Sequence, residues 1–383
     1  MDFEERAVET GALRHIRPDF LMWACVLALC LMGLVVLYGL SASPGEGGQP
    51  LFRKQVRSVL VGFLAMFFFY SLEMEVWRRV ARACGVLALL LGLSVFVPGL
   101  GLYHGGSYRW IRIPLVGGSF QVLDVMSLLL SVHFARYFSD RSEGELASWE
   151  GFWASVKAIS LPVLLVFLQP DLGGAVWLGA TAFSLYVLAG GNLLGSLSLI
   201  ALSPLLLGLV IWAKPYRFRR FMSFWDPWSD PGGSGFQLVQ GLLAYAMGGL
   251  WGVGLGQSKQ KFYYLPAAHT DFILAVLGEE MGLLAVSFVL FLYFVLFVRA
   301  SLVVLRQRDR FAFLLGAGLV VSLVFQTLIN LGGVTALFPL TGLPLPFLSY
   351  GGSSMVTSFA KVGLLLRLST LGAGDRPAGG GLP

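Results

Sequence analysis

Asp171 and Asp271 are the carboxylates best situated for chemistry in this sequence, because each stands where an apolar run begins. Asp171 follows Gln169-Pro170 and precedes Leu172-Gly173-Gly174. It reads either as an acid favoured by a helix dipole or as an intramembrane carboxylate facing a cavity. Asp271 has His269 and Thr270 before it, Phe272 and Ile273 after it, and Lys259 and Lys261 upstream. With Thr270 as N-cap, it would open a helix running to Arg299. Desolvation raises the proton affinity of such a carboxylate, while nearby cations and the helix end lower it. Residue types alone leave that contest open. Glu279 and Glu280 lie two turns further in, where an unpaired acid is costly, so they are expected to pair with cations or backbone rather than react.

Asp271 closes the one long polar interruption in the chain, Lys214–Thr270, which gathers Arg217, Arg219, Arg220, Lys259 and Lys261 with Asp226, Asp230 and His269. Three smaller features accompany it. One is Phe52-Arg53-Lys54-Gln55, and another is Tyr108-Arg109-Trp110-Ile111-Arg112, cations interleaved with aromatics. The third runs from Pro339 to Ser354, includes Ser349 and Ser353, and is too rich in Pro and Gly for a regular helix. Irregular backbone at membrane depth persists only where protein or a water-filled cavity satisfies it, so this run is expected to re-enter and line a cavity. HExxH, Walker and nucleophile-elbow patterns are absent from the sequence. The glycine run Gly252–Gly256 is weak evidence for phosphate binding, because glycine is abundant throughout.

The elements that must hold these residues follow from composition. A chain that is 56% hydrophobic and 13% charged has about half the charge of a soluble domain. Lipid is its natural solvent. Spans of roughly 20 apolar residues fall near 18–40, 55–72, 80–98, 119–138, 155–168, 172–190, 193–213, 271–299, 312–332 and 350–370. The expected fold is therefore an all-α integral membrane protein of about ten transmembrane helices. A large extracytoplasmic loop, 214–270, separates spans seven and eight. The first run lacks a small-residue cleavage pattern and is read as a retained helix. Cys25, Cys30 and Cys84 have neither pairing nor metal-ligand spacing and are expected to be inert.

Basic residues set the orientation. Arg6, Arg14, Arg17, Arg78, Arg79, Arg82, Arg136, Arg141, Arg299, Arg306, Arg308, Arg310, Arg367 and Arg376 all fall on one face if there are ten spans. That face, with residues 1–17 and 372–383, is expected to be cytoplasmic. The 214–270 loop then lies outside with six Lys and Arg. Either a long translocated loop tolerates them, or an anionic ligand meets them there.

At these residues the chain resembles the SEDS family of polytopic cell-wall polymerases (shape, elongation, division, sporulation). The resemblance is carried by RWI at Arg109–Ile111, QPDLG at Gln169–Gly173 and FWDPWSDPGGSGFQ at Phe224–Gln237. It continues through GGLWGVGLGQSKQKFYYLPAAHTDFI at Gly248–Ile273, GEE at Gly278–Glu280 and TGLPLPFLSYGGSS at Thr341–Ser354. DPW at Asp226–Trp228 and AVLGEE at Ala275–Glu280 look more like the division and sporulation branch than the elongation branch.

The resemblance implies an inverting peptidoglycan glycosyltransferase of the bacterial inner membrane that polymerises lipid II, with undecaprenyl pyrophosphate as leaving group. It puts the catalytic base on Asp271. Lys54, Arg109, Arg219, Arg220, Lys259, Lys261, His269, Asp171, Ser349 and Ser353 become candidate substrate-binding residues. It also implies a class B penicillin-binding protein, a transpeptidase, as partner, with a divalent cation (Mg2+ or Mn2+) as the one cofactor such a reaction could recruit. A lipid II flippase and a non-catalytic scaffold for the transpeptidase remain the competing readings. One segment departs from the family pattern. Where FQPSE followed after two residues by lysine is usual, this chain has Phe120-Gln121-Val122-Leu123-Asp124 and then Ser127.

Overall fold

The apolar runs of the sequence become helices in the computed structural model, which describes residues 18–41, 48–104, 107–113, 118–260 and 265–371. In chain order they are α1 (Phe20–Ser41), α2 (Gly48–Ser71), α3 (Met74–Ser94), α4 (Val122–Ser139), the short α5 (Glu143–Ala147), α6 (Trp149–Leu168), α7 (Leu172–Leu188) and α8 (Leu193–Trp212). Then come α9 (Pro215–Trp225) and α10 (Phe236–Gly248), within the polar interruption, followed by α11 (Ile273–Leu305), α12 (Arg310–Val334) and α13 (Gly352–Thr370). Long helices thus occupy all ten expected segments. Six of them are individually long and apolar enough to cross a membrane, and α2 and α3 pass that test only together, bent by 111° at their junction. Exposed side chains such as Leu60, Leu64 and Phe67 on α2, or Leu205, Leu209 and Trp212 on α8, form the apolar surface that lipid would cover.

One part departs from all-helical architecture. Three strands, β1 (Gly101–His104), β2 (Ser107–Ile113) and β3 (Gly118–Gln121), form an antiparallel sheet in the order β1-β2-β3. The alternation of Tyr108, Arg109, Trp110, Ile111 and Arg112 is the period-two pattern of a strand. It leaves Ile111 buried and Arg112 exposed. Trp110 pairs with Gln121, so β3 delivers the chain directly into α4.

Two expectations at the eighth span are corrected. Thr270 is not an N-cap: Phe272 holds that position without a side-chain cap, and the Thr270 hydroxyl lies 3.3 Å from the Ala267 carbonyl. The helix is also broken. Gly282 has φ 74° and ψ −176° in the middle of α11, and there the amides of Leu283 and Leu284 turn to the carbonyls of Gly249 and Leu250, just beyond α10. The part before the break, with Glu279 and Glu280, is fully enclosed. Such breaks survive at membrane depth where neighbouring protein satisfies the freed backbone.

Ion pairs gather the basic connections at one end of the bundle. Arg299 pairs with Asp19 and Arg78 with Asp309. The Asp19 amide donates to Ser369, and Arg310 donates to the Ala189 carbonyl. At the other end, Gln169 donates to the Gly92 carbonyl and the Gln121 amide to Ser353. These contacts lie at opposite ends of the helices they join.

Gly282 supplies a direct test of the broken helix. A Cβ there would lie 2.3 Å from the Leu250 carbonyl oxygen, in a backbone conformation that L-residues avoid. Gly282→Ala should lower the thermal midpoint in detergent, a cost of about 1–3 kcal/mol. Gly144→Ala, where a Cβ meets nothing within 4 Å, should not.

Candidate active site

The Pro- and Gly-rich run after α12 is buried without being helical: Leu343 through Ser349 are enclosed. Its carbonyls are met by four side chains from three helices. Asn330 on α12 donates to the Leu343 carbonyl at 2.7 Å, and Gln326, one turn earlier, donates to that of Pro344 at 3.0 Å. The Tyr293 hydroxyl of α11 donates to Pro346, and Gln55 on α2 donates to Ser349 at 3.1 Å. Within the run, the Leu345 amide donates to the Ser349 hydroxyl at 2.9 Å. Buried polar groups must be paired in this way, so the path of the segment is set by its partners. The same Asn330 amide also donates to the Asp271 carbonyl, and the Tyr350 amide donates to that of His269. The turn carrying Asp271 is thereby fixed to the re-entrant run.

Four charged side chains come together beside it. Arg109 on β2 pairs with Asp171 at 3.2 Å, and Asp171 is almost wholly buried. Asp171 is also the N-cap of α7, accepting from the Gly174 amide at 2.9 Å. Asp171 is therefore a helix N-terminal acid that also carries an ion pair. Arg220 on α9 acts electrostatically on both Asp171 and Asp271, and Arg109 does the same. Gly342, with φ 77°, sits between the two groups: a Cβ there would be 3.3 Å from Arg109 Nη1 and 3.8 Å from Asp271 Oδ2. Burial pushes the Asp271 carboxyl up to about 6 despite Arg220 and Arg109, which pull the other way with a hydrogen bond from Thr270. Desolvation wins the contest that residue types left open.

The remaining candidates are spread over α2, α9, α13 and the segments before α11 and α13. His269 is half-buried, its ring edge-on to Tyr350 at 5.5 Å, and burial holds its imidazole below the usual range. Lys54 is exposed on α2, beside the Gln55 that reaches Ser349 and Gly351. Arg219 is exposed on α9, and Lys259 is exposed in the loop beyond α10. Lys261 lies outside the described residues. Ser349 and Ser353 face inward: Ser349 is engaged as above, and Ser353 donates to Asp124 at 2.8 Å. Glu279 pairs with backbone, as expected of a buried acid. It accepts from the amides of Lys259 and Gln260 and from the Ser258 hydroxyl. The Gly252–Gly256 run is tied up in the same way, since the amides of Val253 and Gly254 donate to the carbonyls of Glu279 and Glu280. Among the described residues no three His, Cys, Asp or Glu side chains group as metal ligands, which adds nothing for or against a divalent cation.

Sequence reasoning missed Gln55, Tyr293, Gln326, Asn330 and Gly342. The usable signal was Gln326 and Asn330, two amides one turn apart inside an apolar run. Such groups are expensive in lipid unless something is there to bond them.

The family described as "Cell cycle protein", FtsW/RodA/SpoVE, matches residues 19–372. The chain belongs to that family. Stage V sporulation protein E of Bacillus subtilis is 36% identical over 92% of this chain and 97% of its own length. A "Probable peptidoglycan glycosyltransferase FtsW" of Nitrosomonas europaea is 37% identical over 91% of this chain and 92% of its own. Among solved structures, a chain of a peptidoglycan synthase complex that coordinates polymerization and crosslinking superposes with TM-score 0.77, at 28% identity, over 92% of this chain and 97% of that one. RodA of Thermus thermophilus superposes with TM-score 0.67, at 26% identity, over 92% and 96%.

The double duty of Asp171 can be separated by substitution. Asp171→Asn keeps an acceptor for the Gly174 amide but releases Arg109, whereas Asp171→Ala loses both. Alanine should lower the thermal midpoint further than asparagine does, by about 1 kcal/mol for the lost cap.

Proposed function

We propose that this chain is a peptidoglycan glycosyltransferase that polymerises lipid II during division or sporulation. The observation that carries the reading is the half-buried Asp271 carboxylate, its proton affinity raised by burial, beside Arg109 and Arg220. The relatives named for glycosyl transfer to peptidoglycan support the substrate class. In the reaction Asp271 takes the proton of the acceptor sugar hydroxyl. The freed oxygen attacks the anomeric carbon of the donor from the face opposite its pyrophosphate. The carbon–oxygen bond to undecaprenyl pyrophosphate breaks, and the leaving group departs with the electron pair. A base whose pKa lies near the working pH suits the first step. Fixed cations suit the last, because they meet charge where it develops.

Arg109, oriented by Asp171, and Arg220 are assigned to the pyrophosphate, with Arg219, Lys54, Lys259 and Lys261 as further cations along its approach. His269 borders the acceptor side. A divalent cation would supply additional neutralisation of the leaving group. The chain crosses the inner membrane ten times, with residues 1–17 and 372–383 cytoplasmic and 214–270 extracytoplasmic. The clustering of basic connections at one end of the bundle supports that orientation. A class B penicillin-binding protein is the proposed partner, in keeping with the likeness to a synthase complex.

Lipid II polymerisation by the purified protein with its transpeptidase partner tests the base. Asp271→Asn should lose at least a hundredfold in rate and keep its thermal midpoint; polymerisation at the wild-type rate would overturn the assignment. A flippase has no such requirement for a base. The pH profile gives a second, independent check. Asp271 must be deprotonated to act and titrates near 6, so the rate should fall as pH drops through about 6. A low-pH limb near 4 would place the base elsewhere or unburied.

A further inference from the structure

A cavity of about 400 Å3 opens at the end of the bundle that gathers the basic connections, between α3, the end of α4 and the short α5. It lies at the far end of α4 from the sheet that carries Arg109. α3 and α4 touch at its margin: a Cβ at Gly85 would lie 2.3 Å from His133 Nδ1, which faces the Ala81 carbonyl at 3.3 Å. Three guanidinium groups line the cavity, Arg82 from α3, Arg136 from α4 and Arg141 from the turn into α5, with the carboxylates of Asp140 and Glu145 among them. The carboxylates engage the arginines by one edge only. Asp140 accepts from Arg136 Nε at 2.8 Å and lies 3.8 Å from Arg82 Nη2, and Glu145 lies 3.3 Å from Arg141 Nε. Arg141 is held further by its Nη1, which donates to the Tyr137 carbonyl at 2.6 Å, with the guanidinium 3.6 Å over the Tyr137 ring. Among the described residues, both Nη groups of Arg136, Nη2 of Arg141 and the whole of Arg82 donate no hydrogen bond to protein.

We propose that this cavity binds the phosphate of an anionic phospholipid, with Arg82, Arg136 and Arg141 as donors and the acyl chains along the exposed apolar strip of α3. Three guanidinium groups and two carboxylates leave one positive charge without a counter-charge. A phosphodiester supplies one negative charge, and its oxygens match the forked Nη donors of arginine. A headgroup of net charge minus one cancels the excess, whereas a zwitterionic headgroup leaves it. The carboxylates hold Arg136 and Arg141 before any lipid arrives, so little side-chain freedom is left to lose on binding. The surroundings suit a lipid rather than a soluble anion. Val86, Leu87 and Leu90 follow Arg82 along α3 and are exposed, and Trp149 and Trp153 are exposed at the start of α6, just beyond α5. Exposed indoles at the end of an apolar helix mark the level of the headgroups. This is the end of the bundle proposed above as cytoplasmic, and basic groups at that face are drawn to the anionic lipids of its leaflet.

The test needs no glycosyl transfer, so it stands apart from the proposed reaction. Full-length protein in a neutral detergent is offered equal amounts of phosphatidylglycerol and phosphatidylcholine, and the retained lipid is counted by native mass spectrometry. Wild type should retain phosphatidylglycerol in preference. Arg82→Gln, at a side chain 84% exposed, should keep the wild-type thermal midpoint and lose about fivefold of that preference, the contribution of one basic group near an anionic headgroup. Arg82→Gln/Arg136→Gln should abolish it. Arg79→Gln makes the same charge change on an exposed side chain of α3 outside the cavity, and should leave the preference intact. Added phosphatidylglycerol should raise the thermal midpoint of wild type and of Arg79→Gln but not that of the double variant. Equal retention of the two lipids by wild type would overturn the proposal, and so would an equal loss in Arg79→Gln, which would mark a general surface attraction. A parallel arm offers radiolabelled inorganic phosphate without lipid. Phosphate bound in an Arg82-dependent way and not displaced by phosphatidylglycerol would overturn the lipid in favour of a soluble anion.

Discussion

Buried irregular backbone must have its carbonyls bonded, and the architecture around Asp271 follows from that constraint. The run from Leu343 to Ser349 cannot satisfy itself as a helix would. It is held by Asn330, Gln326, Tyr293 and Gln55, side chains on three helices far apart in sequence. None of these groups is charged, and none need touch a substrate. The Asn330 amide that bonds the Leu343 carbonyl also bonds that of Asp271, so Asp271 and the buried run are held by one side chain. Gly342, in a left-handed conformation that L-residues avoid, then carries the run close to both Arg109 and Asp271.

The second constraint is electrostatic. Two acids brought to one buried place would each be costly without cations. Arg109 arrives from a small sheet and Arg220 from α9, and both act on both acids. Burial raises the proton affinity of both acids, but their settings differ: Asp171 is enclosed, caps a helix and pairs with Arg109, whereas Asp271 keeps some access to solvent.

Much of this was legible in the sequence, for identifiable reasons. Long apolar runs can only be helices in lipid, so the ten segments were readable from composition and length. Alternation in Tyr108–Arg112 was visible but too short to announce a sheet until Gln121 was seen paired with Trp110. The break in α11 was hidden because Gly282 is one glycine among 48, and only its backbone angles distinguish it. Ser349 and Ser353 were candidates through the family resemblance; the bonds of Ser353 to Gln121 and Asp124 depend on long-range placement that no local pattern encodes, while that of Ser349 to Leu345 is local.

The charges at the site also differ in how firmly they are held. Asp171, Asp271 and Arg109 belong to the buried frame, tied to α7, α12 and the sheet. Arg220 reaches the same place from α9, an exposed helix that follows the largely exposed α8. An arginine held from an exposed element can leave two acids more cheaply than one locked in the core, since solvent screens it as it moves. In the proposed reaction the pyrophosphate would compete with Asp171 and Asp271 for Arg220, and loss of that neighbouring positive charge would raise the affinity of the Asp271 carboxylate for a proton.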